Sequence, residues 1–134
     1  MDTAITDAAI TTVTDDPGRS LKVMRGLFRI NLTLVALQPL TAGLFLSGYG
    51  RAITIHAGVA LALQLSAFIQ LVIACVLWRR RRVPAWIAGV SIALFVLLFL
   101  EVGFGYTKRY WLHLPIGVGI FGWLIRQKDR LDAL

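Results

Sequence analysis

Two side chains in this sequence are suited to acid–base or metal chemistry near neutral pH: His56 and His113, the only two histidines in 134 residues. Each closes the same short pattern. The first copy is Gly48-Tyr49-Gly50-Arg51-Ala52-Ile53-Thr54-Ile55-His56, and the second is Gly105-Tyr106-Thr107-Lys108-Arg109-Tyr110-Trp111-Leu112-His113. One offset, 57 positions (113 minus 56), superposes His56 on His113, Gly48 on Gly105, Tyr49 on Tyr106 and Arg51 on Lys108. A solitary histidine near an apolar stretch is ordinarily a hydrogen-bonded polar residue. Two in matched contexts point instead to something they share, and a neutral imidazole is a common metal ligand.

The composition says what must hold them. Hydrophobic residues make up 57% of the chain and charged residues only 16%, against about 25% charged in an ordinary soluble domain. The apolar residues fall in long runs, the mark of an integral membrane protein. The net charge is +7, but the basic residues flank the apolar runs. No aromatic-interleaved basic patch remains for nucleic acid, so none is expected as a partner. The single cysteine, Cys75, lies inside an apolar run and can form no internal disulfide.

Residues 1–20 are rich in Thr, Asp and Ala and read as a flexible polar tail. Residues 21–29 alternate basic and apolar side chains and read as an amphipathic flank, either a surface helix or a plain basic border. Four candidate spans follow within 30–126: Ile30 to Ser47, with Pro39 expected to kink it, Ile53 to Trp78, Trp86 to Phe104, and a short one from Tyr110 to Ile125. Residues 127–134 form a short tail. Lipid offers the backbone no partner, so all four are expected as helices. Short loops make neighbours antiparallel, which predicts an all-α, up-down-up-down transmembrane four-helix bundle built from two duplicated hairpins. Eleven of the 14 basic residues lie on the side of the tails and the Arg79–Arg82 loop; Arg51, Lys108 and Arg109 lie on the other. The positive-inside rule then places both termini in the cytoplasm of a cell (plasma or inner) membrane.

In that topology His56 and His113 each sit in the first turns of a helix, at equal depth near the outer face. Their helices are diagonal neighbours roughly 13 Å apart, since adjacent helices pack 8–10 Å apart. The gap is too wide for direct contact and suits two imidazoles binding one metal with bonds of about 2 Å. A bare zinc or copper ion wants more ligands than this half of the chain offers. Haem brings four nitrogens of its own, and the absence of Cys-x-x-Cys-His makes attachment non-covalent. A b-type haem with bis-histidine ligation is therefore the expected cofactor. Arg51, Lys108 and Arg109 are expected to pair with its propionates, with Tyr49, Tyr106 or Tyr110 adding hydrogen bonds. Small residues including Gly58 and Gly117 leave room for a flat macrocycle, and Gln64, two turns from His56, is expected at its inner rim.

The run Leu100-Glu101-Val102-Gly103-Phe104-Gly105-Tyr106, followed by Leu112-His113-Leu114-Pro115-Ile116-Gly117-Val118, resembles the second helical pair in one half of haem A synthase, with His56 matching in the first hairpin. It also resembles, more distantly, small four-helix b-type cytochromes. The resemblance covers roughly residues 30–126. It implies a haem between His56 and His113 near the outer face. The chain carries one such bundle rather than two and lacks a second histidine pair, so oxidation of a haem methyl group is not implied.

Glu101, the only acidic residue within the spans, is expected to pair with Arg51 or Lys108, relay a proton, or meet a quinol hydroxyl. No soluble-enzyme motif is present. The functional expectation is one-electron transfer with a quinol or a partner redox protein. The alternative is a cofactor-free membrane subunit that anchors or assists a larger complex. Self-association is left open, as is any substrate chemistry.

Overall fold

A computed structural model describes residues 17–134. It contains four α-helices: α1, Pro17–Leu46; α2, Ala52–Arg79; α3, Ala85–Tyr106; and α4, Tyr110–Asp132. Among the described residues every regular element is helical. Sequential helices are antiparallel, and α4 returns to pack on α1, closing a square. The diagonal pairs α1/α3 and α2/α4 make no backbone contact. The expected up-down-up-down arrangement is the observed one.

One helical stripe on each element builds the interior. On α1 it runs Ser20, Met24, Phe28, Asn31, Val35; on α2, Leu63, Ala67, Gln70, Ala74; on α3, Ile87, Ser91, Leu94, Leu98; on α4, Ile120, Leu124, Leu131, all buried. These are steps of three and four residues, with one longer gap on α4, the spacing that keeps side chains on one face. Ala67, Ala74, Ala88 and Ser91 are small enough for close helix approach. Because Ser20, Met24 and Phe28 continue the stripe of Asn31 and Val35, the flank 21–29 is not a separate surface helix. It is the first part of α1, which runs on through Pro39. Of the expected tail, residues 1–16 lie outside the described residues, and 17–20 already belong to α1.

Three helices, α1 to α3, are long and apolar enough to cross a membrane. The fourth was expected to span as well but does not reach that measure. Its apolar stretch ends at Ile125, is interrupted by His113 and Pro115, and is followed by Arg126, Lys128, Asp129, Arg130 and Asp132.

All three loops close in the same way. The second residue after each helix turns left-handed, and backbone bonds reach back to the last helical turn: Gly48 (φ 95°) with Tyr49 N–H to Leu44 O, Arg81 (φ 55°) with Arg82 N–H to Leu77 O, and Lys108 (φ 57°) with Arg109 N–H to Phe104 O. The corresponding residues are thus Gly48 and Lys108, which the 57-residue offset does not align. Gly48-Tyr49 lies in a loop, whereas Gly105-Tyr106 ends α3. The two Gly-Tyr pairs are not structurally equivalent.

Polar contacts fasten the terminal end, where α1 begins and α4 finishes. Asp132 sits 2.9 Å from Lys128 Nζ, 3.6 Å from Arg29 and 3.7 Å from Arg25. Arg25 also donates to Leu131 O at 3.4 Å, and Arg130 lies over the Trp86 ring at 4.3 Å. The Lys128 hydrogen bond holds the Asp132 carboxyl below its ordinary 3.8, and its bonds to Asp132 and Asp129 hold Lys128 above 10.5. A carboxylate with a depressed folded value stabilises above its unfolded value, and a raised lysine stabilises below its own. The Asp132 contribution is therefore lost as pH falls below about 3.8, and the Lys128 contribution as pH rises past about 10.5. Asp132→Asn should lower the melting temperature modestly at pH 7, and the difference from wild type should shrink in high salt, as thermal scans would show.

Candidate functional site

The interior stripes change character along the bundle. Toward the terminal end they close on leucine, alanine and isoleucine. Toward the other end α2 offers His56, Ala60 and Gln64, α3 offers Glu101 and Gly105, and α4 offers His113 and Gly117. These side chains do not meet to fill the centre. They surround a cavity of ≈ 680 Å³ lined by all four helices, within the roughly 300–1,000 Å³ of ligand and cofactor sites.

His56 projects from α2 toward α1. Its Nδ1 lies 3.0 Å from Thr41 Oγ1 and 3.2 Å from the Gln38 carbonyl oxygen. The Thr41 hydroxyl is within reach of the Leu37 and Gln38 carbonyls, at 3.1 and 3.0 Å. It donates there and accepts from the imidazole. His113 projects from α4 toward α3, its Nδ1 3.1 Å from the Glu101 carbonyl oxygen and 3.1 Å from Glu101 Oε1. Every neighbour of either Nδ1 is an acceptor. Both rings therefore carry their proton on Nδ1 and leave the Nε2 lone pair available, the tautomer that a second hydrogen bond commonly fixes in metal-binding histidines.

The two rings come from diagonal helices and stand 6.2 Å apart between centroids, with 73° between their planes. Two nitrogen–metal bonds of about 2 Å, with roughly 1 Å from each nitrogen to its ring centre, give about 6 Å across a shared metal. A bare ion is poorly served, because among the described residues no cluster of three or more His, Cys, Asp or Glu could hold one. The spacing of the pair and the volume around it are compatible with a cofactor that carries its own equatorial ligands.

The cavity wall also holds buried polar atoms without partners: Oε1 and Nε2 of Gln64, Oε1 of Gln38 and Oε2 of Glu101. In an otherwise apolar interior such groups are costly unless something in the cavity meets them.

The structure gathers some expected site residues and not others. His56, His113, Gln64, Glu101, Gly117, Tyr106 and Tyr110 line the cavity, the last two at its rim. Arg51, Lys108, Arg109 and Tyr49 are exposed loop or loop-edge residues off the wall, and Gly58 faces outward with open space beside it. Glu101 pairs with His113 rather than with a basic loop residue. Gln38, through its carbonyl, and Thr41, through its hydroxyl, were not expected as anchors. The close approach of Gly105 to His113 was not expected either.

Two glycines set the α3–α4 approach. A Cβ at Gly105 would fall 3.1 Å from His113 Cε1, and one at Gly117 would fall 2.9 Å from Glu101 Oε1. The space that Gly117 leaves is therefore filled by the carboxylate. Gly105→Ala should push the His113 ring off its anchor at a cost of about 1 kcal/mol. The expected readout is several-fold faster carbethoxylation of His113 than in wild type, followed by mass spectrometry.

No protein-family model, no curated protein and no solved structure matches the chain. The functional reading rests on the site itself.

Proposed function

We propose that this chain is an integral membrane protein that binds one b-type haem non-covalently between His56 and His113 and takes part in one-electron transfer. The observation that carries the reading is the histidine pair: two rings from diagonal helices, 6.2 Å apart, each tied through Nδ1 to the preceding helix. Haem, when bound, supplies a one-electron iron couple. The chain's own residues do the rest. Thr41 and the Gln38 carbonyl orient His56, Glu101 orients His113, and the largely apolar wall around Val35, Leu63, Leu98 and Ile120 keeps water from the centre.

The membrane setting draws on the three apolar helices and on the outward-facing Leu40, Leu65, Val96 and Ile125 around the bundle, a surface that lipid tolerates and water does not. We read α4 as the fourth crossing, completed by its partners, with both ends of the bundle's chain path on the cytoplasmic, arginine-rich side of a cell membrane. The two hairpins are read as products of duplication, since each carries its histidine at the start of its second helix and anchors it on a carbonyl of its first. In this reading Arg51, Lys108 and Arg109 lie at the cavity's end of the bundle, where their flexible side chains reach propionates. A lipid-soluble quinol or a partner redox protein supplies or receives the electron. A cofactor-free subunit would have filled the cavity with side chains, as the terminal half does.

The test is a spectrum. Purified in detergent, supplied with haem and reduced with dithionite, the protein should give sharp b-type bands at one haem per chain. A preparation that stays colourless overturns the proposal.

A further inference from the structure

The two histidines are held by chemically different anchors. His56 Nδ1 meets a hydroxyl and a carbonyl, both neutral. His113 Nδ1 meets the carbonyl and the carboxylate of one residue, Glu101, each at 3.1 Å. The carboxylate is well enclosed, with 12% of its side chain exposed. Its other oxygen, Oε2, has no partner. No lysine or arginine lines the cavity among the described residues. Gly117 keeps the position open, because any larger residue would press on Oε1.

Resting on the haem reading above, we propose that Glu101 is a positioning residue that makes His113 the stronger donor of the pair and holds the reduction potential of the bound metal low. A carboxylate that accepts from Nδ1–H shifts electron density toward Nε2 and raises ligand basicity. The oxidised centre carries one positive charge more than the reduced one, so the Glu101 carboxylate, when ionised, favours oxidised over reduced. Both effects act in the same direction, and hydrogen bonding around a metal's ligands is a recognised lever on potential. Glu101 acts through His113 and does not itself touch the metal.

The discriminating variant is Glu101→Gln, which preserves shape and an acceptor oxygen but removes the charge. In redox titration of the haem-loaded protein it should raise the potential so that the reduced fraction at a fixed ambient potential rises at least tenfold relative to oxidised, 59 mV for one electron. Glu101→Asp, which restores the charge, should return most of the shift. A second arm needs no haem. In the histidine-labelled apoprotein, the Nδ1 nitrogen resonance of His113 should move in Glu101→Gln while that of His56 stays in place. A haem-loaded Glu101→Gln protein with the wild-type potential, or an unmoved His113 resonance, would overturn this inference and leave the haem reading intact. A colourless wild-type protein would overturn both.

Discussion

His56→Ala and His113→Ala should each lose the b-type spectrum while retaining helical content. If the two rings hold a haem, removing one leaves the other to hold it alone across a gap that spans 6.2 Å between ring centres in the intact pair. Losing an outer hydrogen-bond partner of a metal ligand typically costs 10–100-fold in affinity, so losing the ligand should cost on the order of 100-fold or more. Haem titration in detergent, followed at the reduced bands, measures this directly. Were haem bound, His56 and His113 would hold it and its iron would supply the one-electron couple, whose paramagnetic resonance either alanine variant should alter. An alanine variant that keeps full haem affinity would remove its histidine from the ligand set.

The second large effect lies in the other half of the bundle. Gln70 bridges three helices: its Oε1 accepts from Asn31 Nδ2 of α1 at 2.8 Å, and its Nε2 donates to Ser91 Oγ of α3 at 3.0 Å. All three residues are fully buried. Gln70→Ala leaves the Asn31 amide with no partner and opens a void, for a combined cost of about 3 kcal/mol. Polar pairs between membrane helices average only about 0.6 kcal/mol, so most of that loss comes from the void and the stranded amide rather than from the bond. The double variant Asn31→Leu/Gln70→Met removes donor and acceptor together and should recover most of the stability. Denaturation in mixed micelles of the two single variants and the double would decide it. If the double variant is as damaged as the sum of its parts, the bridge does not act as a pair.

These two predictions differ in how far the sequence alone supports them. The histidines announced themselves, because they are the only two and each opens a helix after a short loop. Four apolar runs with short connections also fix diagonal placement of α2 and α4 with little freedom. The start of α1 was harder to see. Lys22 and Arg25 between Leu21 and Phe28 suggest a membrane border, yet Met24 and Phe28 in the same stretch keep the three-and-four spacing that carries the interior stripe back to Ser20. The Gly-Tyr motif misled in a different way. Identical residues occupy a loop in one hairpin and a helix end in the other, because the first loop is the longer one. Glu101 was legible as a functional residue but not in its partner. Its depth matches both the loop bases and His113, and only the helix rotation shown by the structure selects the histidine. Gly117 read as generic space and Gly105 only as part of the repeated motif, and their specific neighbours emerge only when α3 and α4 are set side by side.

The unequal packing of the two halves bears on how the protein would take up the proposed cofactor. The leucine- and alanine-filled half, with Gln70 and the Asp132 cluster, can assemble from side chains alone, whereas the other half leaves Gln64 and Gln38 waiting for a partner. Regions with few apolar contacts open at lower free energy than tightly packed ones. Amide hydrogen exchange in the apoprotein should therefore be slow around Leu124 and Ala74 and fast around His56 and His113, and loading should slow only the latter. Insertion would then be the closing step of biogenesis, made into a chain whose anchorage is already complete.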